Sequence, residues 1–188
     1  DWSAVTFWLE ITAMAEEAQI ELNGLHKNSW QGDIKALSIF SQLGVTHQFY
    51  KNKLLLLKED VKAPIKQLNL IENPDLAQAI CCTYAGLNNC LKLTGLSTLK
   101  IKETDRILAL QSELKKLGVI LKISEDKIII NDFKKKLEIP TIKTHQDHRM
   151  AMSFAPLSLR FDKLIIENIN VVNKSYPTFW RELKKVGF

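Results

Sequence analysis

An α/β (α+β) fold of three like-built units is predicted for this chain, and three observations predict it. The order helix, strand, helix, hairpin recurs along the sequence. Helical patterns open at Asp1, Asp75 and Asp147, at nearly equal spacing. The details also match: Leu43-Gly44-Val45 parallels Leu117-Gly118-Val119, and Gly187 stops the last helix as those glycines stop theirs. A unit that lays one apolar helix beneath a small sheet cannot bury that helix alone. The units must therefore pack together as one domain spanning residues 1–188, with starts near 1, 75 and 147.

The first unit opens with a helix carrying Val5, Phe7, Trp8, Leu9, Ile11, Met14 and Ala15, apolar most of the way round and hence buried. Gln19 to Gly24 reads as a short strand and turn. Asn28-Ser29-Trp30-Gln31-Gly32-Asp33 leads into a second helix, Ile34 to Leu43, and a hairpin follows over Val45–Tyr50 and Lys53–Leu57. In the second unit, Asp75 opens the helix of Leu76 to Cys82, and Cys90 to Thr94 is an alternating strand. Ile107, Leu108, Leu110, Leu114 and Leu117 then mark one face of a helix, followed by a hairpin over Val119–Ile123 and Lys127–Ile130. In the third, Asp147 opens a buried helix, Lys163 to Ile169 is a strand, and Lys174-Ser175-Tyr176-Pro177 enters a helix over Thr178–Val186. Lys58–Asn73 and Asp132–Gln146 read as linkers. The third unit lacks a closing hairpin, so the chain reads as a fragment of a longer polypeptide whose preceding segment supplies those strands.

Composition narrows the function classes. The chain has 188 residues, 46% of them hydrophobic, enough for a sizeable core. Its formal net charge of +5 is spread out, with no basic block interleaved with aromatics, which argues against nucleic acid and suits small anionic ligands. Lys134-Lys135-Lys136 reads as a solvated loop. Cys81, Cys82 and Cys90 sit in apolar surroundings without metal-ligand spacing, and read as reduced, buried thiols of a cytoplasmic protein. Apolar stretches are short and interrupted by charge, so no membrane span is expected.

The chemistry concentrates in Lys102-Glu103-Thr104-Asp105-Arg106, at the entry to a helix. Lys102 and Arg106 lie four apart and can converge on one anionic group, while Glu103 and Asp105 place carboxylates beside them. One reading is an anion site with an acid/base group built in. The other is a solvated helix start capped by Thr104 or Asp105. Asp75 and Asp147 have the same two readings, ligand contact or helix cap. If the units share one rim, Asp75, Lys102–Arg106, Arg149 and Lys174 come within reach of a common ligand.

Taken together, Lys102–Arg106, Asp147-His148-Arg149-Met150-Ala151-Met152, Lys174-Ser175-Tyr176-Pro177, Asn28–Asp33 and Pro74-Asp75-Leu76-Ala77 resemble the C-terminal half of the 5-enolpyruvylshikimate-3-phosphate synthase family. The resemblance covers essentially the whole chain. It implies an enolpyruvyl transferase-like domain of three repeated helix and sheet units with buried parallel helices. It further implies transfer of the enolpyruvyl group of phosphoenolpyruvate to the 5-hydroxyl of shikimate 3-phosphate, with release of phosphate and without a redox cofactor or obligatory metal. On this basis Asp75 is the base on the 5-hydroxyl and positions shikimate phosphate, and Glu103 is the proton donor to C3. Lys102 bridges both substrates, and Arg106, Arg149 and Lys174 clamp phosphoenolpyruvate. Thr98 stands where relatives carry an asparagine, so no role transfers there. Asp147 is kept as a cap, and His148 is either a ligand contact or a packed histidine.

The rest of the family's site lies in an N-terminal domain this chain lacks, so the fragment alone is expected to be inactive and the full-length enzyme monomeric. Two alternatives remain. One is half of the related transferase acting on UDP-N-acetylglucosamine. The other is a silent anion-binding scaffold.

Overall fold

The computed structural model describes residues 1–61, 64–134 and 139–188. Lys135 and Lys136 of the lysine run lie outside the described residues.

The first stretch runs α1 (Trp2–Met14), β1 (Gln19–Asn23), α2 (Ala36–Ser41), β2 (Val45–Tyr50) and β3 (Lys53–Lys58). Its sheet has the order β1-β3-β2, all antiparallel. Next come β4 (Gln67–Asn69), α3 (Ala77–Gly86), β5 (Leu91–Thr94), α4 (Arg106–Lys116), β6 (Val119–Ile123) and β7 (Lys127–Phe133). They form a four-stranded sheet of order β4-β5-β7-β6, in which β4 and β5 are parallel and the rest antiparallel. Last are β8 (Thr141–Ile142), α5 (His148–Phe154), β9 (Ile165–Ile166) and α6 (Phe179–Lys185), with β8 and β9 parallel.

The two stretches read as linkers thus contain β4 and β8, each leading through a helix to a parallel partner. Strands of three and two residues are too short for alternation to register. The strand read over Lys163–Ile169 is only Ile165–Ile166, because residues 169–174 coil into a 3-10 turn. The helix read over Ile34–Leu43 begins as a 3-10 turn over Gly32–Lys35, and the strand read from Cys90 starts at Leu91.

α1, α3 and α5 form the centre. Every residue of α3 is buried, as are most of α1 and α5, which is why their sequences read apolar all round. α4 is amphipathic, with Ile107, Leu110 and Leu114 inward. Leu108 is 54% exposed, contrary to the sequence reading. A step of 100° from Ile107 puts it on the flank shared with Ser112 and Lys115. Cys81 and Cys82 are buried within α3, but Cys90 is exposed in the connection ahead of β5. Burial pushes both α3 thiols well above their ordinary range. Gly95, after β5, has φ +78, and a Cβ there would collide with the Ile71 backbone nitrogen. Only glycine makes this turn, which sends the chain toward residues 102–106. Among the described residues, no helix is long and apolar enough to cross a membrane.

One core group runs against the rest. Glu10, on α1, is fully buried, and neither of its carboxyl oxygens has a hydrogen-bond partner among the described residues. Burial raises its pKa well above 4.5. The unfolded chain therefore releases this proton more readily than the folded one. The cost is absent at low pH and grows as pH rises above the unfolded value. Glu10→Leu should raise stability at pH 7 by about 1–3 kcal/mol. The gain should be smaller at pH 4. Urea unfolding at the two pH values checks this, and a loss of stability at pH 7 would contradict it.

Candidate functional site

Each functional side chain is delivered by the end of an element. Asp75 lies in a 3-10 turn, Pro74–Leu76, ahead of α3. Its carboxylate caps nothing there, since that helix has no side-chain cap. Asp105 is the true cap of α4, accepting from the backbone N–H groups of Ile107 and Leu108, each at 3.1 Å. Lys102 and Glu103 precede the cap and Arg106 follows it, so all are placed by how the helix begins. Asp147 caps α5 by accepting from Arg149 N at 2.8 Å, as read from sequence. Lys174 ends the 3-10 turn that precedes α6.

Arg106 is the hub. Its side chain is 2% exposed, and three carboxylates close on its guanidinium. Nε donates to Asp147 Oδ2 at 2.6 Å, Nη1 to Asp75 Oδ1 at 2.8 Å and Nη2 to Glu103 Oε2 at 2.8 Å. A planar fork with five donors is the side chain suited to bind three carboxylates at once. Lys102 Nζ lies 3.2 Å from Asp75 Oδ1. Lys102 and Arg106 therefore do converge on one anionic group, and here that group is Asp75. Arg149 donates from Nη1 to the Asp75 carbonyl oxygen at 3.1 Å, and its Nη2 lies 3.6 Å from Asp75 Oδ2. Lys174 Nζ donates to Glu103 Oε1 at 2.6 Å. All six residues singled out in the sequence, Asp75, Lys102, Glu103, Arg106, Arg149 and Lys174, thus join one connected network.

The network is graded in access. Arg106 and Asp147 are buried, Arg149 lies just beneath the surface, and Lys174 is 60% exposed. The Lys174 hydrogen bond holds Glu103 low, at about 2; partial burial opposes this, while its own backbone N–H and the charge of Arg106 reinforce it. His148 is pushed below its ordinary value by burial, against the pull of Asp147, and stays neutral near pH 7. Its Nδ1 has no hydrogen-bond partner among the described residues.

Four participants escaped the sequence reading as partners in this network: Asp147, Ser3, Asp33 and Glu113. Asp147 is a partner of Arg106 as well as a cap, a role invisible to any local pattern. Ser3 and Asp33 stand on the far side of Arg149, with Ser3 Oγ accepting from Arg149 Nη2 at 3.2 Å. Glu113 holds the approach to Asp147: it accepts from Lys143 N and pairs with His145 Nε2, both at 2.9 Å. His145 and Gln146 then adopt φ values of 52° and 58°, left-handed backbone that non-glycine residues seldom take. Burial pushes Glu113 up, but hydrogen bonds from Lys116, His145, Lys143 and Ser112 outweigh it and hold the carboxylate below its ordinary range.

This arrangement suits an anionic ligand. The rim cations can exchange a protein carboxylate for a ligand phosphate or carboxylate while Arg106 holds the carboxylates in register. Glu103 and Asp75 place two carboxylates beside that position. Among the described residues, no cluster of three or more His, Cys, Asp or Glu side chains has a metal-holding arrangement.

Comparison with known proteins agrees with this architecture. The family model for EPSP synthase (3-phosphoshikimate 1-carboxyvinyltransferase) matches residues 1–183. The 3-phosphoshikimate 1-carboxyvinyltransferase of Bacteroides fragilis is 43% identical over the whole chain, which spans 46% of that protein. That of Methanospirillum hungatei is 31% identical over 99% of the chain and 43% of its own length. The chain therefore spans about half the length of the curated relatives it matches. Among solved structures, EPSP synthase from Acinetobacter baumannii superposes with a TM-score of 0.76 at 26% identity, over 98% of this chain and 45% of that one. The enolpyruvyl transferase NikO from Streptomyces tendae shares the fold at a TM-score of 0.65 and 14% identity, over 100% of this chain and 43% of its own. Sequence, fold and family model converge: the chain belongs to the EPSP synthase family.

Proposed function

We propose that this chain is one half of an enzyme that transfers the enolpyruvyl group of phosphoenolpyruvate to the 5-hydroxyl of shikimate 3-phosphate and releases phosphate. The observation that carries this reading is the single network joining Asp75, Lys102, Glu103, Arg106, Arg149 and Lys174. In the reaction the 5-hydroxyl oxygen bonds to C2 of phosphoenolpyruvate as its proton leaves to Asp75 and C3 takes a proton from Glu103. The tetrahedral adduct then loses a proton from C3, re-forms the double bond and expels phosphate. Two carboxylates held by one guanidinium serve both directions.

Lys102, Arg149 and Lys174 take the charge of phosphoenolpyruvate, and Lys102 also reaches shikimate phosphate. Arg106 has five donors. Four are already engaged by Asp147, Asp75 and Glu103. Its contribution to binding is therefore its one remaining donor and the register it gives the three carboxylates beside the incoming anion.

Three sheets related by their strand order support the three-unit reading. Among the described residues, the first has no counterpart of β4 and the third has no hairpin beside β9. The remainder of the polypeptide supplies the rest of the cleft, so the chain alone does not turn over. The whole enzyme is read as a cytoplasmic monomer.

The test is phosphate release by the whole protein given both substrates. Arg149→Ala in that protein should raise the KM for phosphoenolpyruvate roughly 30-fold or more, because a buried charge loses its partner. The KM for shikimate 3-phosphate should change little. An effect confined to shikimate 3-phosphate would contradict the assignment, and absence of phosphate release by the unmodified protein would remove the functional reading.

A further inference from the structure

The stretch Asn28–Asp33 has no part in the chemistry above, yet it reaches the network. Gln31 Oε1 accepts from Trp2 N at 2.8 Å, which fastens the stretch to the first turn of α1. Gly32 packs so closely on Asn73 that a Cβ would stand 2.6 Å from its side-chain nitrogen. Asp33 is thereby set opposite Ser3. Ser3 Oγ donates to Asp33 Oδ2 at 2.5 Å and accepts from Arg149 Nη2 at 3.2 Å. Nη2 is 3.9 Å from Asp33 Oδ2 itself, beyond hydrogen-bond reach.

We propose that Asp33, acting through the Ser3 hydroxyl, is a positioning residue that sets Arg149 for its anionic ligand. The inference rests on the reading of Arg149 as a phosphoenolpyruvate contact. A guanidinium only donates and a carboxylate only accepts, so the hydroxyl has one consistent orientation between them. Its hydrogen goes to Asp33 and its lone pairs face Arg149. The opposite edge of Arg149 is held by the Asp75 carbonyl oxygen at 3.1 Å. Arg149, which is carried by α5, is thus braced by backbone ahead of α3 and by a side-chain relay from α1 and the turn before α2. Ser3 and Arg149 together line a cavity of about 110 Å³, with Asp1, His148 and Tyr176. A ligand anion entering there meets an arginine that cannot swing away.

The test uses the complete enzyme that contains this chain. Asp33→Asn should raise the KM for phosphoenolpyruvate about 10-fold, the scale of one charge-assisted hydrogen bond. The values of kcat and of the KM for shikimate 3-phosphate should move less than about 3-fold. Ser3→Ala should reproduce the effect and Ser3→Thr, which keeps the hydroxyl, should rescue it. In an Arg149→Ala background Asp33→Asn should change nothing further, because coupled residues are not additive. Three results would overturn the relay: an unaltered KM in Asp33→Asn, full additivity with Arg149→Ala, or a silent Ser3→Ala. The Ser3 pair settles the matter should Asp33→Asn fail to fold. If Arg149→Ala is defective while the relay variants are silent, only this inference falls. If the unmodified enzyme transfers no enolpyruvyl group, the functional reading falls and takes the relay with it.

Discussion

Arg106→Met should cost about 3–5 kcal/mol of folding stability, the scale for stripping one partner from a buried ion cluster. Met fills much of the arginine's volume, so the loss is electrostatic rather than a cavity. Asp147 is wholly buried and keeps only its helix-cap contact, while Asp75 and Glu103 lose the cation between them. Three carboxylates left around one apolar side chain repel each other. A domain of this size should melt roughly 6–20 °C lower. Arg106→Lys keeps the charge but not the three-way fork, and should recover only part of the loss. The pH dependence gives a second readout. Asp75 and Glu103 keep Lys102 and Lys174, but buried Asp147 is left without its cation in the variant and gains by taking up a proton, so the deficit should shrink as pH falls from 7 toward 4. Denaturant unfolding at both pH values measures this. A variant within about 0.5 kcal/mol of the parent at pH 7 would show that Arg106 is not the hub.

The long elements were legible in the sequence because apolar periodicity is strong where a helix is wholly buried or has one wet face. α1 and α4 were read close to their true limits, and α3 was read from near its true start but stopped at Cys82 instead of Gly86. So were the glycine stops, since Gly44, Gly118 and Gly187 all take the left-handed backbone that ends such helices. β4 and β8 were not legible. Their identity depends on pairing with strands more than twenty residues away in sequence, and their few residues carry no pattern. The site divides the same way. Lys102, Glu103 and Arg106 stand together in the chain, so their convergence followed from that proximity, although Lys102 and Glu103 lie ahead of the helix and not on one face of it. Asp75, Arg149 and Lys174 come from distant segments, and the repeat gathered them by putting equivalent turns on one rim, while their roles came only from the family resemblance. The use of Asp147 as both cap and counter-ion was missed because a cap signature already accounts for an aspartate at that position. Ser3 was missed for a similar reason: a serine near a helix start reads as a terminus signal, not as half of a relay. Leu108 and Cys90 went wrong because residue type was taken for burial, whereas burial follows the direction in which the side chain leaves the backbone.

Glu103→Gln in the complete enzyme should lower kcat by roughly 100-fold or more, the usual worth of a general acid and base. Glutamine keeps the shape and can still accept from Lys174, so both KM values should stay within a few-fold of the parent. The size of the effect turns on Lys174. With that ammonium at 2.6 Å, Glu103 sits near 2 and carries no proton to give at neutral pH. An arriving phosphate dianion offers Lys174 a better partner, and the exposed lysine is the cation freest to move. Once Lys174 turns to the ligand, the largest influence lowering Glu103 is gone and its pKa rises toward the ordinary carboxylate range. Ligand binding then removes the main restraint on the carboxyl and moves it in the direction a proton donor needs. The same pairing has a stability consequence with a fixed sign. Glu103 is depressed in the folded free enzyme, so its contribution is present above about 4.5 and is lost as pH falls toward 2. In Glu103→Gln that part of the acid-induced loss should vanish. Lys174→Met separates the two halves of the argument: it should weaken phosphoenolpyruvate binding and also raise the free-enzyme pKa of Glu103. Carbon-detected NMR titration of the Glu103 carboxyl reads that shift directly. Undiminished turnover in Glu103→Gln would remove the residue from the proton transfers, and an unmoved carboxyl in Lys174→Met would remove the switch.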